Sequence, residues 1–175
     1  YDPNPVVIFE HKGLYWSKVA NTETAKTPLP DEAYVVPLGV GRIVLEANHE
    51  TIAQGKALCI VTYGMGVHWA KKVCAENNID ADILDLRTLL PLDYDAIAAT
   101  VKNTGKVLVL HEDTLIGGIG GEIAAYISEN LFQYLDAPVK RCASLDTPIP
   151  FSVELEQNFL ANSRLKEKLM ELMAY

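Results

Sequence analysis

Only three cysteines occur among the 175 residues, Cys59, Cys74 and Cys142, and no two form a C-x-x-C pair. An odd number without that spacing is no disulfide framework, so buried reduced thiols in a reducing compartment are expected. Basic residues are also scarce, 15 Lys and Arg against 23 Asp and Glu, for a net charge of −8. A nucleic-acid surface needs a basic face, so that class of partner is not expected. No apolar run approaches the roughly 20 residues that span a bilayer, and no signal peptide is visible, so no membrane role is expected. Internal repeats and low-complexity tracts are absent, as is an initiator methionine: the chain opens Tyr1-Asp2-Pro3-Asn4-Pro5. What remains is one domain's worth of sequence, 49% apolar and 22% charged, within the range of soluble globular proteins.

The chain is organised around Val107–Asn130, VLVLHEDTLIGGIGGEIAAYISEN. Val107-Leu108-Val109-Leu110 is apolar at every position, as in a strand covered by helices on both faces. The strand is expected to end on His111-Glu112-Asp113, polar groups delivered to the carboxyl edge where open α/β sheets place their sites. A turn through Gly117, Gly118, Gly120 and Gly121 follows. Ile123, Ala124, Ile127 and Leu131 then recur at helical spacing.

The same βα pattern flanks this unit. Ala57–Tyr63 reads as a buried strand, turned at Gly64-Met65-Gly66 into a helix through about Asn78 whose inner face is Val67, Ala70, Val73 and Cys74. Ala81–Arg87 is the next strand. Asp93 is placed to cap a helix with Ile97, Ala98 and Val101 inward, stopped by Gly105. A strand at Val139–Cys142, a rigid loop at Asp146–Pro150 and a final helix from near Ser163, striped by Leu165, Leu169, Leu172 and Met173, complete the chain. Arg42–Leu45 reads as a short edge strand. The fold class implied is a three-layer α/β/α sandwich with a mostly parallel sheet. Lys18–Pro37, polar and proline-bearing, reads as a linker. Val6–Phe9 reads as a strand with no matching layer nearby. The chain is therefore expected to be a fragment, with this strand left over from a preceding domain and either disordered, folded onto the surface or paired with another copy.

The motifs point to no complete active site. Gly64-Met65-Gly66 with Asp85 21 positions on supplies three parts of a dinucleotide fingerprint, but Trp69 stands at the third glycine and spoils the close approach. The second glycine cluster precedes a helix as a phosphate cradle does, yet Glu122 already occupies the first helical turn and repels a phosphate. Close packing of these glycines against a neighbouring chain or domain is the expectation. His111 and Glu112 point to opposite sheet faces and cannot share one proton, which favours a structural or interface role. His68 has no second ligand at i+4, so a metal site there is not expected.

Five segments taken in order resemble one family: Asp2–Glu10 (DPNPVVIFE), Val61–Trp69 (VTYGMGVHW), Ile83–Pro91 (ILDLRTLLP), His111–Ile123 (HEDTLIGGIGGEI) and Tyr134–Pro150 (YLDAPVKRCASLDTPIP). They look like the carboxyl-terminal part of the β subunit of thiamine-diphosphate-dependent 2-oxo acid dehydrogenases, a transketolase C-terminal-like domain. HEDTLIGG and RCASLDTPIPF are closer to members acting on branched-chain substrates such as 2-oxoisovalerate than to pyruvate members; an acetoin or pyruvate dehydrogenase is the alternative. Gly121 and Ile119 depart from the family's usual alanine or serine and phenylalanine, which bears on packing at the turn and not on chemistry.

The resemblance implies a division at residues 1–17 (remnant of the pyrimidine-binding domain), 18–37 (linker) and 38–175 (the C-terminal domain). It implies that thiamine diphosphate and magnesium belong to the parent enzyme and are not bound by this fragment, which carries no catalytic residue and is inactive alone. An α subunit or α-like half, a lipoyl acyltransferase core and a second copy are the implied partners. The implied location is the cytoplasm in a bacterium or the mitochondrial matrix in a eukaryote. Asp2 and Asn4 match positions that help coordinate a monovalent cation, potassium; Asp-Pro-Asn-Pro is equally a turn sequence. Asp136 and the terminal Tyr175 are the candidates for docking the acyltransferase's basic binding domain, with solvated surface groups as the alternative. A free-standing nucleotide-binding domain or a small α/β enzyme are the competing classes, and nucleotide titration or turnover by the isolated chain distinguishes them.

Overall fold

The computed structural model describes residues 3–15 and 28–175. In chain order the elements are α1 (Lys12–Tyr15), β1 (Arg42–Leu45), α2 (His49–Ala53), β2 (Leu58–Thr62), α3 (Met65–Asn77), β3 (Ala81–Asp85), α4 (Tyr94–Thr104), β4 (Val107–Thr114), α5 (Gly120–Asn130), β5 (Lys140–Ser144), α6 (Val153–Phe159) and α7 (Asn162–Met173). A short 3-10 turn, Phe132–Tyr134, lies between α5 and β5.

The sheet runs β1-β3-β2-β4-β5; β1 is antiparallel to β3 and every other pair is parallel. The reason lies in β2 and β4, which bury all their apolar positions on both faces. Leu58, Ile60, Leu108 and Leu110 face one way and join Met65, Trp69 and Val73 of α3 and Leu165, Leu169 and Leu172 of α7. Cys59, Val61, Val107 and Val109 face the other way and join Ile97 and Val101 of α4 and Ile123 and Ile127 of α5. Alternation along each strand thus fills two separate cores, which produces the three-layer α/β/α sandwich. Fully burying one of these leucines or isoleucines is worth roughly 1.5–3 kcal/mol.

Local signals hold at several element ends. The Asp93 side chain accepts from the Ala96 N–H and caps α4, while Gly105 closes that helix at φ +70° with its N–H donating to Val101 O. Arg42–Leu45 is indeed an edge strand. Just before it, Gly39 N–H donates to Thr88 Oγ1 and Gly41 N–H to Asp93 Oδ2, tying the entry to the β3–α4 connection.

Other expectations are corrected. Val6–Phe9 forms no strand; the segment is irregular and its four side chains are 66 to 93% exposed, because no described neighbour offers it a ladder. Met173 is 38% exposed and lies off the stripe, since it sits about 100° round the helix from the fully buried Leu172. Helices α2 and α6 were not foreseen; α6 buries only Phe159 and has no periodic stripe to reveal it. Of the expected linker, residues 18–27 lie outside the described residues, and 28–37 carry no regular structure.

Candidate functional site

The strand order reverses between β2 and β4, so the crevice at their carboxyl ends is where an open α/β sheet would hold a ligand. β4 is longer than its apolar run implies, because Thr114 still registers with Ser144 of β5. His111 therefore lies inside the sheet, fully buried, and only Glu112 and Asp113 reach the edge. Neither His111 ring nitrogen has a hydrogen-bond partner. The ring is flanked by Gly118 and Gly120, and a Cβ at either position would fall on it. Through Gly118 and Gly120 the glycine cluster thus closes on the chain's own histidine. A single methyl group would separate the turn from the strand.

Burial pushes the His111 imidazole below the ordinary histidine value, with the Asp113 charge pulling partly back and Arg141 adding to the fall. The unfolded chain takes up this proton near pH 6.5, the folded chain only below it. Stability from this group is complete above about pH 6.5 and is lost as pH falls below it, at no more than roughly 1.4 kcal/mol per pH unit. Urea melts at pH 7 and pH 5 should show this decline, and His111→Gln should flatten it. Equal declines in the two proteins would rule it out. His68, lowered by burial and then by Lys71, contributes with the same sign in both.

Around the edge, His11 Nε2 lies 3.3 Å from Glu112 Oε2, and Leu14 packs on the α3 side of the core. Among the described residues no three His, Cys, Asp or Glu side chains converge well enough to hold a metal ion. No described helix is long and apolar enough to cross a membrane. The three thiols are buried and free: burial pushes Cys59 up to about 12 and Cys74 and Cys142 up to about 11, which leaves them unreactive. Asp2 lies outside the described residues, and Asn4 is exposed in a bend.

The structure brings the two other candidates together. Asp136 and Tyr175 line one groove of about 860 Å³, floored by the small residues Gly121, Ala124, Ala125 and Ser128 of α5. Asp136 is positioned by its N–H, which donates to Gly105 O at the end of α4. Tyr175 follows α7, whose buried leucines hold it over β5. Sequence reasoning missed the charges around the groove. Arg141 lines it, and beside Tyr175 the Glu171 carboxylate accepts from Lys140 Nζ at 3.2 Å and Lys168 Nζ at 2.9 Å. Those lysines hold Glu171 below the usual carboxylate range, Lys168 first. Only the i,i+3 pair Lys168–Glu171 was visible in the sequence.

Among the described residues, the glycine turn before α5 does not fit the diphosphate of thiamine diphosphate. A diphosphate needs an open turn of free N–H groups, and here the His111 ring fills the glycine turn while Glu112, Asp113 and Glu122 put negative charge near its mouth.

The profile of the family described as "Transketolase, C-terminal domain" matches residues 47–164. The chain is 37% identical over 177 residues to the 2-oxoisovalerate dehydrogenase subunit beta of Bacillus subtilis (strain 168), covering 99% of this chain and 50% of that one. It is 38% identical over 159 residues to the pyruvate dehydrogenase E1 component subunit beta of Porphyra purpurea, covering 89% of this chain and 43% of that one. It therefore spans about half the length, or less, of the relatives it matches. Among solved structures, a split gene transketolase described as an inactive beta4 tetramer superposes with a TM-score of 0.63 at 20% identity, over 79% of this chain and 44% of that one. At that identity the likeness is one of fold.

Proposed function

This chain belongs to the transketolase C-terminal domain family, and on that premise we propose that it is the carboxyl-terminal part of a 2-oxo acid dehydrogenase β subunit or β-like half. It serves subunit assembly and docking of the lipoyl acyltransferase core, within an oxidoreductase that decarboxylates a 2-oxo acid and passes the acyl group to lipoyl. Residues 1–17 are then the end of a pyrimidine-binding domain, 18–37 a linker and 38–175 the domain itself. Thiamine diphosphate and magnesium belong to the α subunit and the preceding domain, and the isolated chain turns over no substrate. Asp2 and Asn4 contribute to a potassium site in the intact enzyme. The relatives named for 2-oxoisovalerate and for pyruvate are almost equally similar, so the branched-chain preference rests on HEDTLIGG and RCASLDTPIPF. The compartment follows the host, cytoplasm or mitochondrial matrix.

One observation carries the docking role: Asp136 and Tyr175, 39 positions apart (175 minus 136), line the same groove. A groove that carries a carboxylate and an aromatic over a floor of small residues suits a lysine or arginine side chain. Charge complementarity of this kind speeds encounter and sets register. The test is calorimetry of the chain against the peripheral-binding domain of a bacterial branched-chain acyltransferase at rising salt. Asp136→Asn and Tyr175→Ser should each weaken binding by about tenfold, the cost of roughly 1.4 kcal/mol at an interface anchor. An affinity indifferent to both substitutions and to salt would refute the assignment.

A further inference from the structure

A small cavity of about 210 Å³ opens between β5, the outermost strand of the sheet, and α7. Arg141 of β5 and Arg164 and Lys168 of α7 line it, together with the buried Cys142 and Ala143. The fold brings these cations together. Leu165 and Leu169 seat α7 on the sheet, and Arg164 and Lys168, one turn apart, share a side of that helix. Arg141 enters from the strand, where its Nη1 donates to Leu115 O at 3.1 Å. Asp146 is the one carboxylate in the lining, and its Oδ1 already accepts from Ile116 N–H at 2.7 Å. In a chain of net charge −8, such a convergence of bases needs a reason.

Neither arginine forms an ion pair among the described residues. Their partners are neutral oxygens: besides the Arg141 bond, Arg164 donates to Asn158 O, Ser163 Oγ, Ala143 O and Phe159 O, stapling the end of α6 to β5. These bonds fix the guanidinium groups in place and leave their charge unneutralised. Lys168 Nζ is oriented by Glu171 at 2.9 Å. The field of the cluster reaches the cavity wall, where Arg164 and Lys168 oppose the rise that burial imposes on the Cys142 thiol. Fixed cations without a counter-ion form an anion site, since guanidinium matches the oxygens of an oxoanion. Volume limits the ligand: sites that enclose whole small molecules hold about 300–1,000 Å³, and this one is smaller. One arginine suffices for a planar carboxylate, whereas cations converging from a strand and a helix suit acceptors spread in several directions. We propose that the cavity between β5 and α7 binds a tetrahedral oxoanion, as free phosphate or as the phosphoryl end of a small monoester. This site stands independently of the assembly reading above.

The test is calorimetric titration of the full chain with inorganic phosphate, at an ionic strength held constant with chloride. Binding should saturate with a dissociation constant on the order of 1 mM. Arg141→Gln and Lys168→Gln should each weaken it about tenfold, as for one lost charge-assisted hydrogen bond. Lys166→Gln, an exposed position on the same helix, removes the same charge outside the cavity and should bind like the parent. Melting curves give a second readout. Phosphate stabilises proteins generally by exclusion, which is common to parent and variants and cancels between them. The remaining gain at about 20 mM phosphate should be roughly 3 °C larger in the parent than in Arg141→Gln. Glycerol phosphate identifies the source: binding at least as tight as that of inorganic phosphate marks the end of a monoester, weaker binding the free ion. Affinity and melting gain equal in the parent and every variant would show an adventitious ion only and overturn the proposal. Acetate binding as tightly as phosphate would overturn it too, by making the site one for carboxylates.

Discussion

Gly120→Ala should cost about 3 kcal/mol of stability, the upper range of overpacking in a closed core. For a domain of this size that is a fall in melting temperature of roughly 6–12 °C. The new methyl group would lie on the Nε2 side of the His111 ring, which has no room to retreat: Gly118 covers its other edge and Val109 stands behind. Either α5 lifts from β4 or the imidazole leaves its rotamer. A double-mutant cycle separates this clash from any change in helix propensity. Alanine for glycine in the first turn of α5 favours the helix by up to about 1 kcal/mol, so only the clash makes the substitution destabilising. Removing the ring should therefore rescue it. His111→Ala leaves a cavity of its own, but Gly120→Ala in that background should be neutral or stabilising. Melting of Gly120→Ala within about 0.5 kcal/mol of the parent, the usual range for a surface change, would refute the close packing.

Leu169→Ala should cost about 3 kcal/mol as well, within the range for leucines truncated in a packed core. Leu169 is fully buried at the centre of α7, between Leu165 and Leu172, in the core shared with Trp69 and Cys142. Among the described residues, α7 is the main helix packed on that face of β5, with α5 on the other. Met173→Ala, on the outer side of the same helix, is the control and should fall within about 0.5 kcal/mol. The packing term has a functional reading. α7 carries Glu171 and leads into Tyr175, so fraying of its last turns should also weaken docking in the groove, with Asp136 unaltered. Denaturant unfolding gives the first effect and calorimetry the second. Equal melting of Leu169→Ala and Met173→Ala would sink the account of α7.

The architecture was legible in the sequence to the extent that burial leaves a local period. Leu58–Val61 and Val107–Leu110 are apolar without interruption because both faces of a central strand are covered, and a strand with one face in solvent alternates instead. The stripes of α3 and α4 point inward as their spacing requires, as do Ile123 and Ile127 of α5 and Leu165, Leu169 and Leu172 of α7, whereas Ala124 lines the groove and Met173 is exposed; Asp93 and Gly105 mark the ends of α4 because capping is settled within a few residues. Helix α6 was not legible: with only Phe159 buried it has no stripe, and its place depends on Arg164 holding its last carbonyls. The place of His111 was not legible either. Its neighbours in sequence are acids that reach water, and only the register of β4 with β5 draws the histidine into the sheet.

The sequence alone determined which residues meet the interior and in what order the elements follow, because hydrophobic periodicity is a property of each segment by itself. Only the tertiary structure decided that Asp136 and Tyr175 share a groove, that the glycine turn closes on His111, and that Arg141 of β5 and Lys168 of α7 line one cavity. The physical reason is the same for all three. Each proximity spans elements whose relative position is set by the side chains packed between them, and a residue's own chemistry is unchanged by which distant neighbour that packing delivers.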